Sequence, residues 1–107
     1  MSRWIDLIDA AALAEGDAVA VTAAFAAGPR ELALFRVDGE VYATDNVCTH
    51  ADARLCDGFL IGHEIECPLH QARFDIRDGR VTCEPATEPI ATWPVKIDGG
   101  RVWVAID

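Results

Sequence analysis

The stretch CTHADARLCDGFLIGHEIECPLH, residues 48–70, carries two Cys–His pairs, Cys48-x-His50 and Cys67-x-x-His70, separated by sixteen residues. Thiolate and imidazole together are ligands for transition metals. Each pair falls in a loop: 48–58 is interrupted by Gly58, and 67–72 is stiffened by Pro68. Between them, FLIGHEIE reads as a short two-stranded ribbon turning at Gly62-His63. Two loops projecting from one ribbon can clasp an object between their tips.

Working outward, most of the chain reads as strands. ELALFRV and EVYAT alternate around Asp38-Gly39, a strong two-residue hairpin signal. ARFDI and RVTCE flank a second Asp-Gly at 78–79, and WPVKID and RVWVAID flank a third turn at 98–100. Three hairpins at short spacing predict an all-β, antiparallel domain. The exception is residues 10–27, which hold ten alanines, a helix-favouring composition. Asp9 is placed to cap one helical turn over AALAEG, ended by Gly16. AVAVT then reads as a strand and AAFAAGPR as a loop.

The chain of 107 residues is the size of one domain, and its 51% hydrophobic fraction is enough to fill a core. Eighteen acidic residues against nine basic ones give a net charge of −9. This excludes nucleic acid and anionic membrane surfaces as partners, because both require a basic face. MSRWIDLIDA lacks an apolar run of signal-peptide length, and no stretch approaches a membrane span. A cytoplasmic location is expected. Thiols stay reduced there, so the cysteines read as metal ligands or free thiols.

The pattern C-x-H-x16-C-x2-H narrows the metal. Structural zinc sites also use two Cys and two His, but place both cysteines on one knuckle and both histidines on a helix. Here each loop supplies one of each. Both cysteines can then bind one metal atom and both histidines another, the division of ligands in a mixed Cys/His [2Fe–2S] cluster. A zinc site that merely holds the loops together is the alternative.

At these residues the chain resembles the Rieske family, and within it the small ferredoxins of bacterial aromatic ring-hydroxylating dioxygenase systems of the naphthalene and biphenyl dioxygenase type. DGEVYATDNVCTHADARLCDG, GHEIECPLHQARFD and WPVKI carry the likeness, from about Trp4 to Ile106. The resemblance implies the Rieske (ISP) fold: three antiparallel sheets in a single domain, 1–107, with a cluster-binding subdomain at about 45–84 inserted in a β base domain. It implies one [2Fe–2S] cluster, with Cys48 and Cys67 on the inner iron and His50 and His70 on the outer, solvent-facing iron. It implies a third loop at Pro85-Ala86 packed over the cluster. Respiratory-type relatives join the two loops by a disulfide at positions occupied here by Ala53 and Leu69, so none is expected. They also place serine and tyrosine hydroxyls near the cluster at positions that are Ala72 and Phe74 here. Hydrogen bonds to cluster and cysteine sulfur stabilise the reduced form, so their loss predicts a potential toward the low end of the Rieske range of roughly −150 to +300 mV.

Cys56 and Cys83 match no ligand position and are expected to be buried free thiols. Leu55, Phe59 and Leu69 are candidates for shielding the cluster or rimming a docking surface. With His50 and His70 committed, only His63 remains, expected at a surface turn. One histidine cannot supply the two that a mononuclear oxygenase iron needs. No phosphate loop or nucleophile triad stands out either. The expectation is an electron carrier, not an enzyme. It would take single electrons from a flavin-containing NAD(P)H-dependent ferredoxin reductase and pass them to a terminal Rieske oxygenase of aromatic hydrocarbon catabolism. The competing reading is a Rieske subunit fixed in a larger redox enzyme, of the nitrite-reductase small-subunit type.

Overall fold

The computed structural model describes residues 3–49, 53–69, 71–84 and 86–106. Its framework is the hairpin of β3 (Gly28–Val37) and β4 (Glu40–Asp45), closed by Val37 facing Glu40. The two turn residues take positive φ, +53° at Asp38 and +80° at Gly39, as a primed turn demands. Glu15 holds the turn from outside, its carboxylate accepting the Asp38 and Gly39 N–H groups at 2.6 and 2.9 Å.

Leu32, Ala33, Leu34 and Phe35 are all fully buried, because β3 is covered on both faces. Leu32 and Leu34 point into one core with Leu13, Val102, Val104 and Ile106. Ala33, Phe35 and Val37 point into a second core that holds Cys48 and Cys67. One strand thus ties the framework to the metal-ligand loops.

The alanine-rich stretch departs from expectation. β2 (Ala18–Phe25) pairs with β3 along its whole length, from Ala18–Phe35 to Phe25–Gly28. The segment 23–30, expected as a loop, is therefore mostly strand. The helical turn shrinks to a 3-10 turn at Ala10–Ala12, and Asp9 makes no side-chain cap. Asp9 instead ends β1 (Arg3–Asp9) and pairs with Arg101 at 2.8 Å. Alanine's helix preference is a few tenths of a kcal/mol per residue and yields to a ladder of cross-strand hydrogen bonds.

β1 pairs with β11 (Arg101–Ile106), which pairs with β10 (Val95–Asp98), giving a sheet of order β1-β11-β10. Thr92–Trp93 forms β9 and completes the order β2-β3-β4-β9. β4 and β9 are paired neighbours, yet 46 residues of chain (46–91) lie between them. That excursion builds the third antiparallel sheet: β5 (Phe59–Ile61), β6 (Glu64–Glu66), β7 (Arg73–Asp75) and β8 (Val81–Cys83), in that order. The protein is all-β, with three antiparallel sheets, as expected.

In the third sheet Leu60, Ile65, Phe74 and Val81 face the second core, while Phe59 and Ile61 face solvent. The turn after β7 is locked by Asp75, a buried carboxylate that accepts from Arg77 Nε and Nη2 at 3.0 and 2.7 Å and from the Arg77 main-chain N–H at 2.9 Å. Those bonds pull the Asp75 carboxyl down to about 2, burial opposing them. Gly79 (φ +80°) bonds through its carbonyl to the Ile90 N–H, and a Cβ there would collide with the Ile90 carbonyl oxygen. No helix among the described residues is long and apolar enough to cross a membrane.

Candidate metal centre

Cys48 follows β4 and sits in the loop 47–55. An antiparallel bridge between Val47 and Arg54 draws the loop's ends together, and the Cys48 N–H donates to the Ala53 carbonyl at 3.0 Å. Cys67 follows β6 directly. Its N–H donates to the Ala72 carbonyl at 2.7 Å, turning the second loop back on itself with Gln71 at φ +62°. Both thiols are buried and free. The two loops thus bring Cys48 and Cys67 together in one core, with Leu55, Ala72, Phe74 and Ala86 around them.

Burial pushes the Cys67 thiol up to about 11; the Leu69 main-chain N–H, hydrogen-bonded to its sulfur, pulls the other way, and a hydrogen bond with Cys48 adds to the rise. Two buried sulfurs in one core, out of water, are a bidentate soft site. A thiol of this kind releases its proton when a cation takes the proton's place. The cysteine half of the donor set fits an iron of a [2Fe–2S] cluster. Among the described residues no third donor joins it. His50 and His70 lie outside the described residues, as does Pro85.

The surroundings match the sequence at several points. Ala53 and Leu69 leave the loops without a disulfide. Ala72 and Phe74 are fully buried and bring no hydroxyl to the sulfurs. The third loop reaches the site through Ala86, and the Thr49 hydroxyl donates to the Glu88 carbonyl at 2.7 Å. His63 lies at the β5–β6 turn, half-buried rather than open, its ring edge-on to Tyr42 at 5.8 Å.

The expectation that Cys56 and Cys83 are buried is corrected. Cys83 is exposed, because β8 is an edge strand and position 83 pairs with Arg73 on the outer face. Cys56 is only half-buried. Leu55 belongs wholly to the core, so it shields the site and forms no rim. Phe59 is 62% exposed on the outer face of β5, and Leu69 is 46% exposed. Leu69 joins Val47, Ala53 and Pro68 in a shallow hollow bounded by Arg54 and Asp57.

One feature of the site escaped the sequence. Asn46 is fully buried, and its carboxamide links Glu31 on β3 to Cys56 beyond the loop. No spacing rule associates positions 31, 46 and 54. The β3–β4 register, which sets Leu32 opposite Asp45, and the bridge between Val47 and Arg54 do so.

Three antiparallel sheets, with two loops of the third converging on a buried thiol pair, define an iron–sulfur protein of the Rieske class. The chain belongs to the Rieske [2Fe-2S] domain family, whose model matches residues 3–94, and its cofactor is one [2Fe–2S] cluster. It is 54% identical over 102 residues to the ferredoxin component of a naphthalene 1,2-dioxygenase system from Pseudomonas aeruginosa, covering 95% of this chain and 94% of that one. Among solved structures it is similar to the ferredoxin of Sphingomonas yanoikuyae B1, with a TM-score of 0.87 at 40% identity, over 98% of this chain and 100% of that one. It is also similar to a chain in the complex of reduced oxygenase and oxidised ferredoxin of carbazole 1,9a-dioxygenase, with a TM-score of 0.86 at 34% identity, over 95% of this chain and 92% of that one.

Proposed function

We propose that this chain is the ferredoxin component of an aromatic-ring dioxygenase system. It accepts single electrons from a flavin-containing NAD(P)H-dependent reductase and delivers them to a terminal Rieske oxygenase in the cytoplasm. The observation that carries the reading is the pair of thiols Cys48 and Cys67 buried in one core, in a chain similar over nearly its whole length to ferredoxin components. Cys48 and Cys67 would hold the inner iron, and His50 and His70 the outer one. The segment at about 45–84 would be the cluster-binding subdomain, inserted between β4 and β9. When bound, the cluster supplies a reversible one-electron couple.

The chain's own residues account for the rest. Leu55, Ala72, Phe74 and Ala86 exclude water from the thiol side. The Leu69 N–H directs a dipole at the Cys67 sulfur, favouring its thiolate. Val47, Pro68 and Leu69 present a small apolar rim at the loop tips. Such a rim suits a brief encounter, because transient redox partners bury little area. The net charge of −9 steers that encounter toward basic partner surfaces.

Stopped-flow mixing of the reduced protein with an oxidised Rieske oxygenase of an aromatic dioxygenase system tests this reading. The expected result is transfer of one electron per chain, with no turnover of aromatic substrate by this protein alone. Failure to reduce any such oxygenase, or isolation only as a stoichiometric subunit of another enzyme, would overturn it.

A further inference from the structure

We propose that Asn46 is the positioning residue of the metal centre, holding the Cys48 loop in its ligating shape through Glu31 and Arg54. The inference rests on the reading that Cys48 ligates the cluster. Asn46 precedes the loop 47–55 and bonds to residues at its far end and on β3. Its main-chain carbonyl accepts the Leu55 N–H at 2.7 Å, and its side-chain Oδ1 accepts the Cys56 N–H at 2.9 Å. Its Nδ2 donates to Glu31 Oε1 at 2.7 Å and to Cys56 Sγ at 3.3 Å. Its main-chain N–H donates to the Glu31 carbonyl at 3.2 Å. The loop is therefore clamped at its base by one side chain.

Glu31 carries the clamp into the framework. Arg54 grips its carboxylate with two bonds, Nε at 2.9 Å and Nη2 at 3.1 Å, and Arg54 is itself the loop residue bridged to Val47. Glu31 leads into the buried run 32–35 of β3, whose Ala33 and Phe35 share a core with both thiols. Glu31 so bonds both Asn46 and Arg54, which stand on either side of Cys48 in the chain.

A buried amide is an expensive way to fill space unless every polar atom is paired, and here every one is. An apolar residue at 46 would leave the Cys56 N–H and a Glu31 oxygen without the partner they now have. What the amide supplies is geometry: a networked polar group admits one arrangement where an apolar contact admits several. Groups hydrogen-bonded to metal ligands alter metal affinity by about 10–100-fold when removed; Asn46 and Glu31 act on Cys48 through the loop backbone, so the low end of that range is expected.

The test compares the holoproteins of Asn46→Ala, Glu31→Ala, Glu31→Gln and Val104→Ala. Val104 lies in the other core, so its truncation weakens the fold without touching the clamp. Bleaching of the visible absorption by an iron chelator is followed well below every melting temperature, beside the electron paramagnetic resonance spectrum of the reduced form. Asn46→Ala and Glu31→Ala are expected to bleach about tenfold faster or more, with altered g values. Glu31→Gln, which keeps one oxygen for the Asn46 amide but gives up the second bond from Arg54, is expected to bleach at a rate between those of the parent and Glu31→Ala, whereas Val104→Ala stays near the parent despite a lower melting temperature. If Asn46→Ala does not fold, Glu31→Ala carries the test. The proposal is overturned if both clamp variants bleach at the parent rate with unchanged g values, or if Val104→Ala bleaches as fast as they do. Cys48→Ser separates the two readings: a parent-like spectrum from that variant removes the ligand assignment itself.

Discussion

The Cys67 N–H donates to the carbonyl oxygen of Ala72 at 2.7 Å, and Ala72 lies fully buried in the core that holds both thiols. A hydroxyl introduced at 72, or on Phe74 two residues on, would enter that core. Ala72→Ser and Phe74→Tyr are expected to raise the reduction potential if the new hydroxyl reaches sulfur, because the reduced cluster is the better acceptor. A bond stronger by about 1–2 kcal/mol in the reduced form corresponds to roughly 40–90 mV for a one-electron couple. Protein-film voltammetry measures this; an unchanged or lower potential in both variants would exclude hydrogen-bond control of the potential here.

Stability in acid should depend on Asp75. Its carboxyl lies at about 2 in the folded protein, against an ordinary 3.8, chiefly because Arg77 hydrogen-bonds to it. A depressed carboxyl contributes stability that is complete above its unfolded value and lost as the pH falls through the folded one. The contribution is about 2 kcal/mol, lost between roughly pH 4 and pH 2. Asp75→Asn should unfold at lower denaturant concentration at pH 6 and show a flatter pH profile over that window. Parallel profiles for parent and variant would contradict the assignment.

Much of this could be read from the chain, for local reasons. Asp38-Gly39, Asp78-Gly79 and Asp98-Gly99-Gly100 announced their hairpins because turn chemistry and alternation sit within a dozen residues of each other. That Cys48 and Cys67 converge in one core is legible because their spacing in two loops of one excursion is itself a constraint. β1 was not, since its partner β11 lies at the other end of the chain and no turn joins them. Only part of the strand at 18–25 is legible, because alanine's local preference opposes a pairing that β3 imposes. The bonds of Glu31 to Asn46 and Arg54 depend on the β3–β4 register and on the Val47–Arg54 bridge, and leave no trace in sequence spacing. The exposure of Cys83 is not legible in the chain, because an edge position cannot be known before strand order is.

Gly79 should tolerate no side chain. Its φ of +80° and the Ile90 carbonyl against it make Gly79→Ala both strained and overpacked, at an expected cost of about 2–4 kcal/mol. Gly99→Ala, at φ +59° with open space around it, should cost only about 1 kcal/mol. Denaturant titrations of the two variants give the comparison, and equal losses would show that backbone strain alone matters.

Charge should govern the rate of electron delivery. With eighteen acidic and nine basic residues, encounter with a basic partner face is accelerated at low ionic strength and screened as the Debye length falls from about 30 Å at 0.01 M to about 8 Å at 0.15 M. The second-order rate with the oxygenase or the reductase should fall over that range. A flat salt dependence with both would exclude electrostatic steering.

The most direct test of the metal centre is the electron paramagnetic resonance spectrum of the dithionite-reduced protein, taken with its metal content. A rhombic signal with average g below the free-electron value, integrating to one unpaired electron per chain and lost in Cys67→Ser, is the expected result. A silent spectrum from a colourless protein containing zinc would contradict it, and would leave Cys48 and Cys67 as the anchor of a structural site.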